Sequence, residues 1–293
     1  MTDIVDAPAA LIEDPLPADA TKKSLGWGFW LCVGWLGTLS LVALLAPILP
    51  IDEPTAFGAG PNNEGPSWAH WFGTDKGGRD VFARAVWGAR ISLVVGAFAI
   101  GFGLVVGGTL GMLAGYLRGW VDQIISFIFF TVLSFPALVL AILIVTSFER
   151  SLMTVSLTLG VLAVAPVGRL ARAQTLVFAE REFVQAARVI GAKNGRIIVR
   201  ELLPNVVIPM GALALLGMAV AIVAEGGLAF LGLSVQKEET WGKLILLGAG
   251  SRDLEQSPWI SMAPIFVLFL TVLALNYAGD KVRAYFDVRE SSL

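Results

Sequence analysis

The chain has 293 residues, of which 56% are hydrophobic and only 15% charged, with a formal net charge of -2. A soluble domain of ordinary composition sits closer to half apolar and a quarter charged, so water is the wrong solvent for most of this sequence. The near-neutral balance leaves no basic footprint for nucleic acid, and one histidine with one cysteine cannot supply a disulfide framework or the usual zinc ligand set.

Residues 1–24 carry Asp3, Asp6, Glu13, Asp14 and Asp19 among alanines and prolines, without a basic start. They predict a disordered tail and not a signal peptide. A first uncharged run from Trp27 to Leu49 follows Lys22 and Lys23 and opens on Trp27 and Trp30. It is long enough to cross about 30 Å of hydrocarbon, and the basic flank with interfacial tryptophan marks its cytoplasmic end. Residues 25–90 thus comprise this first span and a polar extracytoplasmic segment from Pro50 to Arg90. Within that segment Val81, Phe82, Ala85, Val86 and Ala89 recur at helical spacing, which predicts a short amphipathic helix on the membrane surface.

The remaining spans fall within 91–280. The second, about Ile91–Tyr116, carries Gly103, Gly107, Gly111 and Gly115 at steps of four, which predicts a neighbouring helix packed tightly on a bare face. The third, about Ile124–Phe148, contains Pro136 beside Ser134 and predicts a kink there. A tight turn at Glu149, Arg150 and Ser151 leads to a fourth, ending near Val167. From Gly168 to Asn205 the chain is charged, with Arg169, Arg172, Arg181, Arg188, Lys193, Arg196 and Arg200. Such a basic loop belongs on the cytoplasmic side. A fifth span starts after Pro204 and reaches about Glu225, a sixth covers about Trp259–Ala278, and 281–293 form a second cytoplasmic tail. The expected fold is all-α and integral to the membrane: six transmembrane helices, with a cytoplasmic coupling helix between spans four and five and both termini inside. This arrangement places 13 of the 21 lysines and arginines on the cytoplasmic side.

No catalytic constellation, metal site or cofactor motif is present. The stretch Gly73–Asp80 superficially suggests a phosphate loop but lacks the Gly-Lys-Ser/Thr ending, so this chain is expected not to bind nucleotide. Inside the basic loop, Glu182–Ala192 reads as a short helix stopped by Gly191, with Phe183, Ala187 and Ile190 on one face. A second helical piece, Gly195–Leu203, is expected to end at Pro204. Small alanines allow close approach, so the segment looks built to dock on a cytosolic partner.

Gln185-Ala186-Ala187, then Gly191, then Leu202-Leu203-Pro204-Asn205 resembles the EAA loop of binding-protein-dependent ABC importer permeases. Gln185 stands where that family commonly has glutamate, and Glu201 where histidine is common. Two further stretches match in order: Phe72-Gly73-Thr74-Asp75 with Gly78-Arg79-Asp80-Val81-Phe82, Arg84, Gly88 and Arg90-Ile91-Ser92-Leu93, and Glu225 with Leu228, Phe230-Leu231-Gly232-Leu233 and Trp241-Gly242. Both are similar to signatures of the C-type permease in the oligopeptide and dipeptide branch. The resemblance implies a plasma-membrane permease subunit of an ATP-driven importer, moving peptides; members of the branch also carry nickel and other small solutes. It implies as partners a homologous B-type permease, cytosolic ATP-binding subunits (two, or one fused chain), an extracytoplasmic substrate-binding protein and the lipid bilayer.

By the same resemblance Phe183, Gln185, Ala186, Ala187, Arg188, Gly191 and Ala192 couple the chain to the ATPases. Glu225, an ionisable group in an apolar run, has two readings: a structural cap or pair at the outer gate, or a substrate contact in the pathway. Asp75, Arg79 and Asp80 likewise form either a turn held by local hydrogen bonds and ion pairs or a contact for the binding protein. A secondary transporter would need inverted repeats and midplane charges on several spans, and the sequence offers neither. The topology is open to direct measurement. In sealed cells, cysteines placed at Asn63 and Gln256 are expected to react with a membrane-impermeant reagent, and one at Glu180 is not; outside labelling of Glu180→Cys would overturn the orientation.

Overall fold

The computed structural model describes residues 25–290, so the acidic tail predicted over 1–24 and the last three residues lie outside the described residues. Those described form helices α1 (Gly26–Leu45), α2 (Val81–Phe102), α3 (Gly108–Leu117), α4 (Gly119–Ser134), α5 (Ala137–Ser147), α6 (Leu152–Ala179) and α7 (Glu182–Val189). They continue with α8 (Asn194–Arg196), α9 (Leu203–Phe230), α10 (Trp241–Leu247), α11 (Ser251–Gln256) and α12 (Trp259–Glu290). Two π-helical segments, Gly103–Gly107 and Ile197–Leu202, join α2 to α3 and α8 to α9. Five helical stretches are long and apolar enough to cross a membrane, or six if the bent pair α4–α5 counts as one.

Three boundaries differ from the sequence expectation. The amphipathic stretch at Val81–Ala89 does not lie apart on the surface: Val81–Leu117 is one 37-residue helical run, and Val81, Ala85, Val86 and Ala89 are buried. Their apolar face packs into the bundle and not onto lipid. Pro204 does not end a helix. It sits where the π-helical segment Ile197–Leu202 passes into α9, and the run extends unbroken over Asn194–Phe230. The break at Pro136 is far sharper than a kink, at 88° between α4 and α5. Pro136 supplies no N–H, and the Val132 carbonyl instead accepts the Phe135 N–H at 3.3 Å.

The glycine ladder is where the bundle closes. A Cβ added at Gly107 would overlap the Val164 carbonyl of α6, one at Gly111 the Gly168 carbonyl, and one at Gly115 would sit 2.8 Å from the Arg172 carbonyl. Backbone therefore lies against backbone along two turns. Lipid tails provide no hydrophobic drive for helix association, so this close packing is what holds α3 on α6. A step of four residues overshoots an α-helical turn by about 40°, and the wider π turn at Gly103–Gly107 absorbs part of that drift. Gly103 thereby meets Ala163 of the same helix.

On the other side of α2, Gly96 receives Ile222 and Gly217 receives Ile100, which draws α9 in. The pair α1 and α12 flanks this core, tied by the Trp35 indole N–H donating to Thr271 Oγ1 at 3.2 Å. Replacing Gly107 or Gly111 by leucine is expected to cut the yield of assembled protein at least several-fold. Gly101→Leu, on the same helical run with open space beyond its Cα, is expected to assemble normally. Size-exclusion yields of the three variants check this, and normal assembly of Gly107→Leu and Gly111→Leu would overturn it.

Candidate functional site

The two ends of the bundle carry different chemistry. At one end α6, α7 and α8 meet. Arg181 begins the turn into α7, and the Gln185 amide reaches back to donate to the Glu180 carbonyl at 3.1 Å. A glutamate carboxylate at 185 could not make that bond. At the far end of α7 the chain reverses through Gly191, whose φ of +85° suits glycine and few other residues. Gly191 N–H donates to the Arg188 carbonyl at 2.9 Å and Ala192 N–H to the Ala187 carbonyl at 3.0 Å, the paired bonds of a Schellman stop.

This stop divides the motif into two faces. Val184 is fully buried, and Ala187 and Ala192 pack on the same core, beside Tyr116, Ile197 and Leu202. Phe183, Gln185, Ala186, Arg188 and Gly191 remain exposed, and Val189 and Ile190 are 88% and 85% exposed. The face predicted from spacing is thus corrected: Ala187 turns inward with Val184, while Ile190 turns outward with Val189. The reason is the tertiary anchor at Val184, which sequence spacing alone did not single out. Two further contacts clamp the helix to the end of α3. The Arg188 guanidinium lies 5.1 Å from the Tyr116 ring centroid, and Tyr116 Oη donates to Asn194 Oδ1 at 3.3 Å. Arg118 pairs with Glu180.

The opposite end is a polar cap built around Asp75, which is completely buried. Its Oδ1 accepts the N–H groups of Gly77 and Arg79 at 2.7 and 3.1 Å, and its Oδ2 accepts Arg79 Nε at 2.8 Å. Arg84, one turn into α2, donates to the same Oδ2 and, through Nη2, to Glu239 Oε1 at 3.0 Å. Asp80 caps α2 by accepting Ala83 N–H at 2.9 Å and holds His70 Nδ1 at 2.9 Å. The turn reading of Asp75, Arg79 and Asp80 therefore describes the geometry, and Asp75 has no surface to offer a partner.

Glu225 is buried on α9, 1% exposed. Its Oε1 accepts Ser234 Oγ at 2.5 Å, and Ser234 lies 3.3 Å from Thr240 Oγ1, which caps α10. The loop that carries Glu239 is thereby tied from two directions, to α9 through Glu225 and to α2 through Arg84.

Arg169 and Arg172 were counted by sequence in the basic loop, yet both sit on α6, well before its end at Ala179. Arg172 makes a two-pronged pair with Asp122 of α4, Nε to Oδ1 at 2.5 Å and Nη2 to Oδ2 at 2.6 Å. Arg169 lies beside this pair with its guanidinium 5.2 Å from the Phe130 ring centroid. Helix periodicity continuing past Val167 without a stop was the signal that could have placed them. Among the described residues no group of three or more His, Cys, Asp or Glu side chains could hold a metal.

The described residues thus form a helical bundle with membrane-length helices and a short Schellman-stopped helix projecting from one end. A family model described as the binding-protein-dependent transport system inner membrane component matches residues 107–291. The dipeptide transport system permease protein DppC of Alkalihalophilus pseudofirmus is 41% identical over 254 residues, covering 86% of this chain and 83% of that protein. The glutathione transport system permease protein GsiD of Pectobacterium atrosepticum is 35% identical over 246 residues, covering 84% and 81%. An inward-facing structure of the MetNI methionine ABC transporter shares the fold, with a TM-score of 0.57 at 20% identity over 70% of this chain and 96% of that one. This chain belongs to the family of binding-protein-dependent transport system inner membrane components.

The buried ion pairs give the polar cap a measurable weight. Removing one partner from a buried network leaves the other charge without compensation, at a cost of about 3–5 kcal/mol. Arg84→Met is expected to destabilise the protein on that scale in thermal unfolding, and Arg79→Met, on a more exposed side chain, distinctly less. Equal melting of the Arg84→Met variant and the parent would overturn the bracing role.

Proposed function

We propose that this chain forms one half of the translocation pathway of an ATP-driven peptide importer in the plasma membrane, with both termini cytoplasmic. The other half is a homologous B-type permease. Cytosolic ATP-binding subunits, two or one fused chain, carry out hydrolysis, and an extracytoplasmic binding protein delivers the cargo. The observation that carries the reading is the outward crest of α7, where Val189 and Ile190 stand exposed beside Ala186 on a helix whose inner face is fixed. An apolar crest of that kind on a soluble loop fits a complementary groove on a protein partner. The similarity to DppC and GsiD, permeases of dipeptide and glutathione transport systems, supports peptides as cargo.

In this reading Phe183, Gln185, Ala186, Arg188 and Gly191 line the contact with the ATPases, and Ala187 and Ala192 seat the helix on the permease. When ATP draws the ATPases together, α7 is displaced and carries the inner ends of α3 and α6 with it. The Asp75, Arg79 and Asp80 turn braces the surface that meets the binding protein, and Glu225 holds the loop at the pathway mouth without touching cargo.

Val189→Asp and Ile190→Asp place a carboxylate on the crest and leave the inward face untouched. Gly191→Val forces a left-handed backbone on a branched residue, at roughly 1–2 kcal/mol, and re-aims the crest. Purified with its partners and reconstituted with binding protein and peptide, each variant is expected to keep the paired permeases yet lose at least 90% of stimulated ATP hydrolysis and uptake. Full stimulated hydrolysis and uptake in all three would overturn the coupling role of α7.

A further inference from the structure

Arg169 is an exposed charge on a membrane-length helix, and among the described residues no carboxylate pairs with it. From the exposed Trp120 at the start of α4 to Phe130 is ten residues, about 15 Å along the helix. From Arg169 to the end of α6 at Ala179 is again ten residues, about 15 Å. Helix α6, at 28 residues about 42 Å long, outreaches a hydrocarbon layer about 30 Å thick, so the Arg169–Phe130 contact falls between the middle of the layer and its inner edge. The surface between that level and Trp120 is apolar, with Ile124, Phe127 and Ile128 all more than half exposed, so this part of the bundle is not bathed in cytosol.

Arginines on a membrane-spanning helix face a water-filled cavity or a pathway, because lipid solvates them poorly. A cavity is present. Between α4 and α6 lies a space of about 450 Å³ lined by Asp122, Ser126, Phe130, Arg169, Arg172 and Ala173, among others. Its acidic lining residue, Asp122, is consumed: both oxygens take the Arg172 fork, and Oδ1 also accepts Ser126 Oγ at 3.0 Å. The pair cancels in charge, which leaves the Arg169 guanidinium as the net charge of the cavity. Its planar fork of donors suits a carboxylate, and Phe130 supports one face.

We infer that the cavity between α4 and α6 is an anion subsite of the pathway, where Arg169 receives the terminal carboxylate of the passing peptide and the Asp122–Arg172 pair keeps that arginine unclaimed. This rests on the importer reading and adds a specificity element to it. Cargo with a free carboxylate is held there by charge and released as the pathway turns over.

The test uses the complete importer in proteoliposomes, with Cys32→Ala and Ala173→Cys in this chain and partner subunits free of cysteine. Two thiol reagents of similar size are compared, the anionic sulfonatoethyl and the cationic trimethylammonioethyl methanethiosulfonates, each normalised to its rate with free thiol. The anionic reagent is expected to react at least ten-fold faster. That preference is expected to vanish in Arg169→Gln, persist in Arg169→Lys, and the reaction itself to slow in saturating dialanine. Equal rates for the two reagents, or no reaction with either, would overturn the subsite. So would protection that follows phosphatidylglycerol content and ignores dialanine, since the occupant is then a lipid phosphate. Binding-protein-stimulated ATP hydrolysis by the parent is recorded in the same vesicles. Its absence overturns the importer reading, whereas unselective labelling with hydrolysis intact overturns the subsite alone.

Discussion

The close approach of α3 to α6 sets the rest of the structure. Two helices in a bilayer gain little by burying leucines against each other, because the lipid was already as apolar as the partner. What they gain is contact without side chains between them, and Gly107, Gly111 and Gly115 place backbone on the backbone of Val164, Gly168 and Arg172. Gly168 returns the favour from α6, where a Cβ would run into the Phe129 ring of α4. One small residue thus lets three helices meet at a single level. The Asp122–Arg172 pair lies just below that level on the α4 side, and the turn into α7 lies at the end of the same helix. The sites described at both depths inherit their positions from α6.

The short helix α7 illustrates how one motif can serve two surfaces. A Schellman stop requires a left-handed residue at Gly191 and sets Ala187 and Ala192 side by side. Small side chains at those two positions let the loop lie flat on the core, while the residues between them are free to face outward. The alanines read from sequence as room for a partner are therefore of two kinds: Ala186 is exposed and Ala187 is seated on this chain.

Much of this was legible from residue pattern alone. Apolar runs gave the membrane class, the glycine steps gave a tightly packed neighbour, and the order of three motifs gave the family. What was not legible depended on contacts between distant positions. Arg84 joins Asp75 to Glu239, the latter 155 residues further along the chain, and no local pattern announces that pairing. Charge content placed Arg169 and Arg172 in a loop because an arginine is expected to avoid lipid, yet a neighbouring helix can supply its counter-charge or a cavity its water. Pro204 was read as a stop because proline disfavours a place in mid-helix, but the wider π turn at Ile197–Leu202 immediately precedes it and the helix runs on through it.

The distribution of fixed contacts also bears on how motion at one end could reach the other. The run Val81–Leu117 begins at the Asp80 cap, one turn before Arg84, and finishes at Tyr116 and Arg118, which hold α7 and the end of α6. Charged or hydrogen-bonded groups thus grip both ends of a single rod about 55 Å long. Between them the grip is steric, glycine on backbone, and steric contacts of this kind shift as a unit or not at all because packed interiors have little free volume. A displacement of α7 is therefore resisted locally by Tyr116 and Arg118 and passed to the whole rod. At its far end the rod meets the loop held by Arg84 and Glu239, which is tied in turn to α9 through Ser234 and Glu225. The coupling proposed for α7 then needs no flexible relay, only a rod whose two ends are each bound to a different element of the fold.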